Sequence, residues 1–479
     1  MADESIAYLT ATEMAARIRD RSLSPVEVMQ SHLDRIERLN PAINAIVAMS
    51  DTAMEEAKRA ERAVAAGDDL GPLHGVPVTI KDCLDVAGLP ATRGSKVFAD
   101  NFPAADATAV RRLKKTGAIV LGKTNAAEFG LWWETDNLVY GRTVNPWNPD
   151  CIAGGSSGGD AAAVAAGLTP IGLGSDLAGS IRVPSHFCGT VGLKATHGAI
   201  STFGHWPLHA PRYWHVGPIA RSVEDIALPF DVLAGSDPKD PYPVGLPADG
   251  ADAVPAASSL RVGWIRDGGS SPVRRDIGEA VAAAAKAFAD LGCEVEEISI
   301  PALSGQNWNE LSRILMGIEG SVIVGRSVAG REDQLHPFIR NRLAVRDVPL
   351  VDYIDALEVS EELRRQMVDF FLRFDLLIAP VCSAVAFEHG RSEVEINDAL
   401  VDARHILRAA VPWDITGHPG LAVPFAMTSD GMPIGVQLIG RKFDERLICK
   451  AGLALQAASP VAGRHPPCAW AGKGQAWES

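Results

Sequence analysis

The sequence predicts an α/β fold in which a mixed or largely parallel sheet is covered by helices. Three observations carry this expectation. Between residues 73 and 204, apolar runs of strand length alternate with alanine-rich segments of helical character. An apolar fraction of 47% with 22% charged residues is that of a folded globular chain and excludes disorder as the overall state. The 479 residues suffice for a sizeable core, and no break in composition forces a cut between domains, so one unit over 1–479 is expected.

Residues 1–70 read as an N-terminal helical segment. Ser24, Pro25 and Glu27 make a capping box, with the serine hydroxyl as cap, proline in the first helical position and the glutamate returning to the cap amide. Val28, Leu33 and Ile36 follow at helical spacing, and Asn40-Pro41 is expected to end the helix. A second, charge-rich helix over 54–65 stops before Gly67. In the 71–204 region the runs 76–80, 118–121 and 170–173 read as strands, and 107–115 and 160–166 as helices. The stretch 236–259 is rich in Pro, Asp, Gly and Ser and reads as a loop. After it come a strand over 260–265, a helix over 277–291 ended by Gly292, and a half-exposed strand over 294–300. Residues 306–372 look mainly helical, so 236–372 is expected to be a variable, largely helical insertion or lid. A buried strand over 374–381 and two strands within 411–440, joined at Asp430-Gly431, complete the chain.

The charge balance narrows the partners. With 45 basic against 59 acidic side chains the net charge is −14, which argues against nucleic acid or an anionic membrane surface. The seven cysteines (Cys83, Cys151, Cys188, Cys293, Cys382, Cys449 and Cys468) are odd in number, and no CxxC pair occurs. Neither a zinc ribbon nor a thioredoxin-type site is indicated, and a reducing cytoplasm is the expected setting. The start, MADESIAYLT, lacks a basic n-region before an apolar core, and no run of about 18 apolar residues appears. The expectation is a soluble, cytoplasmic protein.

Glycine is unevenly spread. Residues 154–198 hold eleven glycines, about one in four, against 45 in the whole chain. The block reads Gly154-Gly155-Ser156-Ser157-Gly158-Gly159-Asp160, then an alanine-rich helix, then Gly174-Ser175-Asp176-Leu177-Ala178-Gly179-Ser180-Ile181-Arg182. Glycines let backbone amides converge without a Cβ in the way. A phosphate cradle would need GxxxxGK[ST], and the lysine is missing. A nucleophile elbow centred on Ser157 satisfies G-x-S-x-G, but the preceding Asn145-Pro146-Trp147-Asn148-Pro149 is a poor central strand.

A third reading joins Ser156, Ser180 and Lys81. The GGSSGG…GSIR block resembles the hallmark of the amidase signature family, and the resemblance extends along most of the chain. Gly71-Pro72-Leu73-His74-Gly75-Val76-Pro77 through Lys81-Asp82, Gly122-Lys123-Thr124-Asn125 with Glu128-Phe129, and Asn145-Pro146-Trp147 follow in the family's order. Gly217-Pro218-Ile219-Ala220-Arg221-Ser222, Phe374-Asp375-Leu376-Leu377, Gly417-His418-Pro419 and Gly431-Met432-Pro433-Ile434-Gly435-Val436-Gln437 continue it. Lys81 precedes Ser156 by 75 residues and Ser180 follows by 24, spacings typical of that family.

The resemblance implies an amidase-signature fold, a central mixed twisted sheet with helices on both faces, and a Ser–cis-Ser–Lys triad. Ser180 would be the nucleophile, Lys81 the base, and Ser156 the relay, while the amides of Leu177, Ala178, Gly179 and Ser180 would form the oxyanion hole. Lys81 closes an apolar run, so desolvation favours its neutral, basic form. Ser157, Asp176 and Arg182 are expected to brace the site. Trp132, Trp133, Phe203 and Trp206 are candidates for the substrate pocket, which suggests a small apolar or aryl amide. Carbamates and esters meet the same nucleophile. A glutamine-dependent amidotransferase of the A type, working within a complex, is a further alternative, weakened by Val183 where those proteins typically carry glutamine. The resemblance further implies a small-molecule amide or carbamate substrate and no metal or cofactor, and a homodimer is compatible with it. One departure stands out: Ala178 occupies a position that is often glycine in the family.

Overall fold

The computed structural model describes residues 4–207, 210–242, 244–245, 255–269, 272–468 and 470. Part of the loop expected over 236–259 lies outside them. Among the described residues, thirteen strands run in chain order: β1 Ile46–Met49, β2 Pro77–Lys81, β3 Ile119–Thr124, β4 Ile171–Asp176, β5 Val191–Lys194, β6 His215–Ala220 and β7 Arg261–Trp264. Then come β8 Glu294–Glu297, β9 Leu376–Pro380, β10 Glu393–Ile396, β11 Ala399–Asp402, β12 Gly420–Met427 and β13 Pro433–Ile439. Eleven of them form one sheet in the order β1-β3-β2-β4-β6-β5-β12-β13-β9-β7-β8, and β10 and β11 make a separate hairpin.

The sheet is mixed, as expected. β2 lies parallel to both β3 and β4 on one side, and β7 lies parallel to β8 and β9 on the other. The strands between these two parallel sets pair antiparallel. Helices cover the sheet because successive strand residues point to opposite faces. In β3, Val120 joins the large core that includes Met14 and Ile18 from the N-terminal helices. Its neighbours Ile119 and Leu121 pack on the other face against the alanines of helix Gly158–Ala165.

The N-terminal capping box forms as read, but helix Pro25–Ile43 runs through Pro41. The side chain of Asn40 sets this end: its Oδ1 accepts from the amides of Ala45 and Ile46, both at 2.9 Å, and Asn44 closes the turn in the left-handed region. β5 and β6 were not anticipated, since Pro218 speaks against a central strand. The structure tolerates it because β5 pairs only with Ile219 and Ala220, so the missing N–H interrupts no registered pair on that side. The 236–372 region also departs from a simple lid. β7 and β8 are integral strands of the sheet, and only the helices from Trp308 to Arg373 form a cap.

Helix Gly158–Ala165 starts directly after the two serines and presses its first turn onto the end of β3. A Cβ on Gly159 would lie 2.3 Å from the Asn125 carbonyl oxygen, so only glycine permits this approach. Replacing Gly159 by alanine must push the helix off β3, at a cost of about 1–3 kcal/mol. A thermal melt of Gly159→Ala should therefore fall clearly below the wild type, while Gly245→Ala, whose Cβ would meet no atom of the described residues within 4 Å, should melt unchanged. Equal melts for both variants would contradict this account of the serine loop.

Candidate active site

The parallel pairing of β2 with β4 brings two strand ends together. The register places Ile80 beside Leu173, so the next residue, Lys81, emerges next to Gly174 and Ser175. Open α/β sheets place their functional groups at such carboxyl ends. Lys81 is wholly buried. Its Nζ lies 2.7 Å from Ser156 Oγ, 3.0 Å from Ser175 Oγ and 3.3 Å from the Ser175 carbonyl oxygen. Burial pushes its pKa below the ordinary lysine value, against smaller upward influences from Cys83, Asp160 and Asp176.

Ser156 follows a cis peptide bond with Gly155. Its hydroxyl sits against Gly130, where a Cβ would come within 3.4 Å of Oγ. The amide of Ser157 donates to the Ser180 carbonyl at 3.2 Å, tying the two serine loops together. Ser157 itself is held to β4: its hydroxyl donates to the Ser175 carbonyl at 3.2 Å and accepts from the Ser175 amide at 3.3 Å. These bonds leave Ser157 a bracing residue. Ser180 is 8% exposed and lines a cavity of about 690 Å³, together with Gly130, Gly155, Leu177 and Ala178.

Below the loop that carries Ser180 lies a buried charge network. Asp176 Oδ1 accepts from the Gly179 amide at 2.5 Å and its Oδ2 accepts from the Ile181 amide at 3.1 Å. Arg182 Nε donates to Asp176 Oδ2 at 3.0 Å, and its Nη2 donates to Asp414 Oδ2 at 2.6 Å. Its Nη1 donates to the Ala410 carbonyl and to Gln437 on β13. All three charged residues are fully buried. Burial raises the pKa of both carboxyls. For Asp176 the adjacent Arg182 outweighs that cost and holds it well below the usual range, whereas Asp414 stays well above it. Asp176 and Arg182 are thus braces for the loop, anchored across the sheet.

The oxyanion loop differs from the expectation at one point. The Gly179 amide is already committed to Asp176, whereas those of Leu177, Ala178 and Ser180 donate to no acceptor among the described residues. The left-handed turn falls on Gly179, with φ of 105°, and Ala178 lies outside that region. Alanine at 178 therefore carries no backbone strain.

Of the four aromatic candidates, two line the cavity and two do not. Trp132 and Trp133 line it, and Phe338, unforeseen in the sequence, joins them. Trp132 stacks on Phe338 at 4.8 Å between centroids, and Trp133 meets it edge-on at 4.9 Å. Phe203 instead lies on the surface under Lys239 Nζ, and Trp206 packs between Phe98 and Phe129. The reason is that the 201–207 loop runs over the end of β2, with the Trp206 amide donating to the Cys83 carbonyl at 3.0 Å, so these rings sit behind the lysine. The outer cavity wall is basic. Arg313, Arg342, Arg404 and Arg408 line it, and Arg342 and Arg408 have no carboxylate ion-pair partner among the described residues. Nothing in the local sequence marks these residues, because neither the cap helices that carry Arg313 and Arg342 nor the 402–408 segment that carries Arg404 and Arg408 has a motif. Among the described residues no group of three or more His, Cys, Asp or Glu is placed to hold a metal ion, and no helix is long and apolar enough to cross a membrane.

Comparisons with known proteins agree with this architecture. The family model described as Amidase matches residues 27–449. The chain is 34% identical to the A-type component of the glutamyl-tRNA(Gln) amidotransferase of Moorella thermoacetica, over 96% of this chain and 98% of that protein. It is also 34% identical to the acylamidase of Rhodococcus erythropolis, over 97% and 98%. The crystal structure of a bacterial aryl acylamidase of the amidase signature family superposes with a TM-score of 0.88 at 29% identity, covering 96% of this chain and all of that one. A sheet of this order, a buried lysine against the two serine loops and a family match over nearly the whole length place this chain in the amidase signature family.

Proposed function

We propose that the protein hydrolyses the C–N bond of small amides through an acyl-enzyme on Ser180. The observation that carries this reading is the fully buried Lys81 amine 2.7 Å from Ser156 Oγ. A desolvated lysine gives up its proton readily and can then act as a base. Neutral Lys81 takes the Ser156 hydroxyl proton, and Ser156 takes that of Ser180 as Ser180 Oγ attacks the substrate carbonyl. The uncommitted amides of Leu177, Ala178 and Ser180 receive the oxyanion. On collapse the proton returns through Ser156 to the leaving nitrogen, the C–N bond breaks and the amine departs. Water then attacks the ester carbonyl, gives its proton to the same relay and releases the acid. Carbamates and esters fit the same steps. The aromatic wall of Trp132, Trp133 and Phe338 favours an aryl or apolar group beside the scissile bond. The seven cysteines form no disulfide among the described residues, which suits a cytoplasmic setting.

A second reading, the glutamine-hydrolysing component of an amidotransferase, has one observation in its favour. The guanidinium of Arg342 on the cavity wall, which meets no carboxylate among the described residues, can receive that of an acidic amide such as glutamine. The purified chain separates the two readings. Turnover of anilides well above that of glutamine supports the amidase, and the reverse order supports the amidotransferase component.

The roles of the serines are tested by acylation. Ser180→Ala should lose turnover by about a thousandfold or more and fail to label with a fluorophosphonate. Ser157→Ala should keep measurable turnover, since its hydroxyl bonds only to β4. A dead Ser157→Ala beside an active Ser180→Ala would move the nucleophile to Ser157. The pH dependence follows from Lys81. Its ammonium is disfavoured by burial, so the neutral base accumulates at a pH below the ordinary lysine value of 10.5. The rate of anilide hydrolysis, read as kcat/KM, should therefore rise with pH and level off below 10.5. A profile that falls on going from pH 7 to pH 9 would refute lysine as the base.

A further inference from the structure

Behind Lys81 lies a histidine that the reaction above does not use. His205 is buried, and its Nε2 lies 2.9 Å from Ser175 Oγ, the same hydroxyl that stands 3.0 Å from Lys81 Nζ. Its ring rests on Trp214 at 4.5 Å between centroids, and the backbone at His205 bridges to Leu84, three residues beyond Lys81. His205 thus reaches the lysine through one intervening hydroxyl while being held from two sides.

The hydrogen-bond inventory around Nζ gives this arrangement a consequence. A neutral amine has two N–H donors and one lone pair. Three oxygens surround it: the Ser175 carbonyl, the Ser175 hydroxyl and the Ser156 hydroxyl. The carbonyl can only accept, so it takes one N–H. The remaining N–H and the lone pair are shared between two hydroxyls, and each hydroxyl can play either part. Productive chemistry requires the lone pair to face Ser156. That outcome is secured when the Ser175 hydroxyl donates its own proton elsewhere and meets Lys81 as an acceptor.

We infer that His205 is a positioning residue for the base: its Nε2 accepts the Ser175 hydroxyl proton and so directs the lone pair of Lys81 at Ser156. The inference rests on the proposed role of Lys81 as base. Without the histidine acceptor, the Ser175 hydroxyl is free to donate to the amine, which occupies the lone pair and stabilises the neutral form at the same time. The other ionisable groups around Lys81 are Cys83 on the strand's own extension, Asp160 on helix Gly158–Ala165 and Asp176 on β4. They are unchanged in a His205 variant, so a shifted profile reports the hydroxyl.

The test compares His205→Leu, His205→Gln, Ser175→Ala, the double variant His205→Leu/Ser175→Ala and Lys81→Ala with the wild type. Full-length purified protein is used, with an anilide as substrate and a thermal melt as the control for folding. His205→Leu should lower plateau kcat about tenfold with KM within about twofold, because the proton relay and not binding is impaired. Its kcat/KM profile should begin to rise at a lower pH than the wild type, by about half a unit, since a hydrogen bond to the neutral form lowers the lysine pKa. Glutamine, whose side-chain carbonyl can accept from Ser175, should recover most of the loss. In the double variant the His205 effect should vanish, since the hydroxyl it controls is gone. An unshifted profile in His205→Leu, or an additive loss in the double variant, overturns the positioning role. If Lys81→Ala retains wild-type turnover, the reading of Lys81 as base fails and the role of His205 falls with it. A dead Lys81→Ala beside an unshifted His205→Leu removes only the role of His205.

Discussion

The site depends on a single costly placement, the burial of the Lys81 amine at the end of a central strand. An ammonium taken out of water is strongly disfavoured unless polar groups surround it or it gives up its proton. Here the three nearest partners are uncharged oxygens, from Ser156 and Ser175, and among the described residues no carboxylate is hydrogen-bonded to Nζ. Burial therefore outweighs what these neutral oxygens return and keeps the surroundings unfavourable to the charged amine. Much of the neighbouring structure serves to keep them so. The parallel register of β2 and β4 supplies Ser175, the loop after Gly155 supplies Ser156, and Gly159 lets the following helix sit low enough to hold that loop.

The loop that carries Ser180 is held by a second and opposite electrostatic arrangement. Where Lys81 is kept from carboxylates, Arg182 is placed between two of them, Asp176 and Asp414. A guanidinium offers its donors in a fixed plane, so one residue can pin the loop, the 410–414 segment and β13 at once. Asp176 in turn holds the Gly179 and Ile181 amides, which fixes the chain on both sides of Ser180. The loss of one potential oxyanion donor, the Gly179 amide, is offset by a loop whose remaining amides cannot drift. Breaking either member of such a buried pair would strand the other charge.

The cavity joins two regions of the chain. Its floor and most of its aromatic wall come from residues 130–133, 155, 177, 178 and 180, and the basic outer wall, with Phe338, comes from the cap helices and the 402–408 segment. On the proposed function, the floor carries the groups that would meet the scissile amide and the cap those that would meet the rest of the substrate. Relatives named as amidotransferase components and as an acylamidase match this chain across nearly their whole length. A division of this kind lets one reaction serve different amides through changes in the cap alone.

Much of the fold and the reactive residues was legible in the sequence. Alternating strand and helix runs foretold the mixed sheet, and the resemblance carried by the glycine–serine block pointed to Lys81 and Ser156, whose side chains lie 2.7 Å apart. These are local signals: periodicity, capping chemistry and a dense motif each sit within a few tens of residues. The sequence could not show that Phe203 and Trp206 turn away from the cavity while Phe338 enters it, that the Gly179 amide is taken by Asp176, or that β7 and β8 belong to the sheet. Nor could it show that His205 reaches Ser175 across thirty residues. By itself, then, the sequence determined the fold class and singled out Lys81 and Ser156, but not Ser175, whose hydroxyl also meets the amine. The direction each ring faces, the partner each amide keeps and the shape of the substrate cavity were decided only in the tertiary structure. Those depend on packing between segments far apart in the chain, where no local pattern records the outcome.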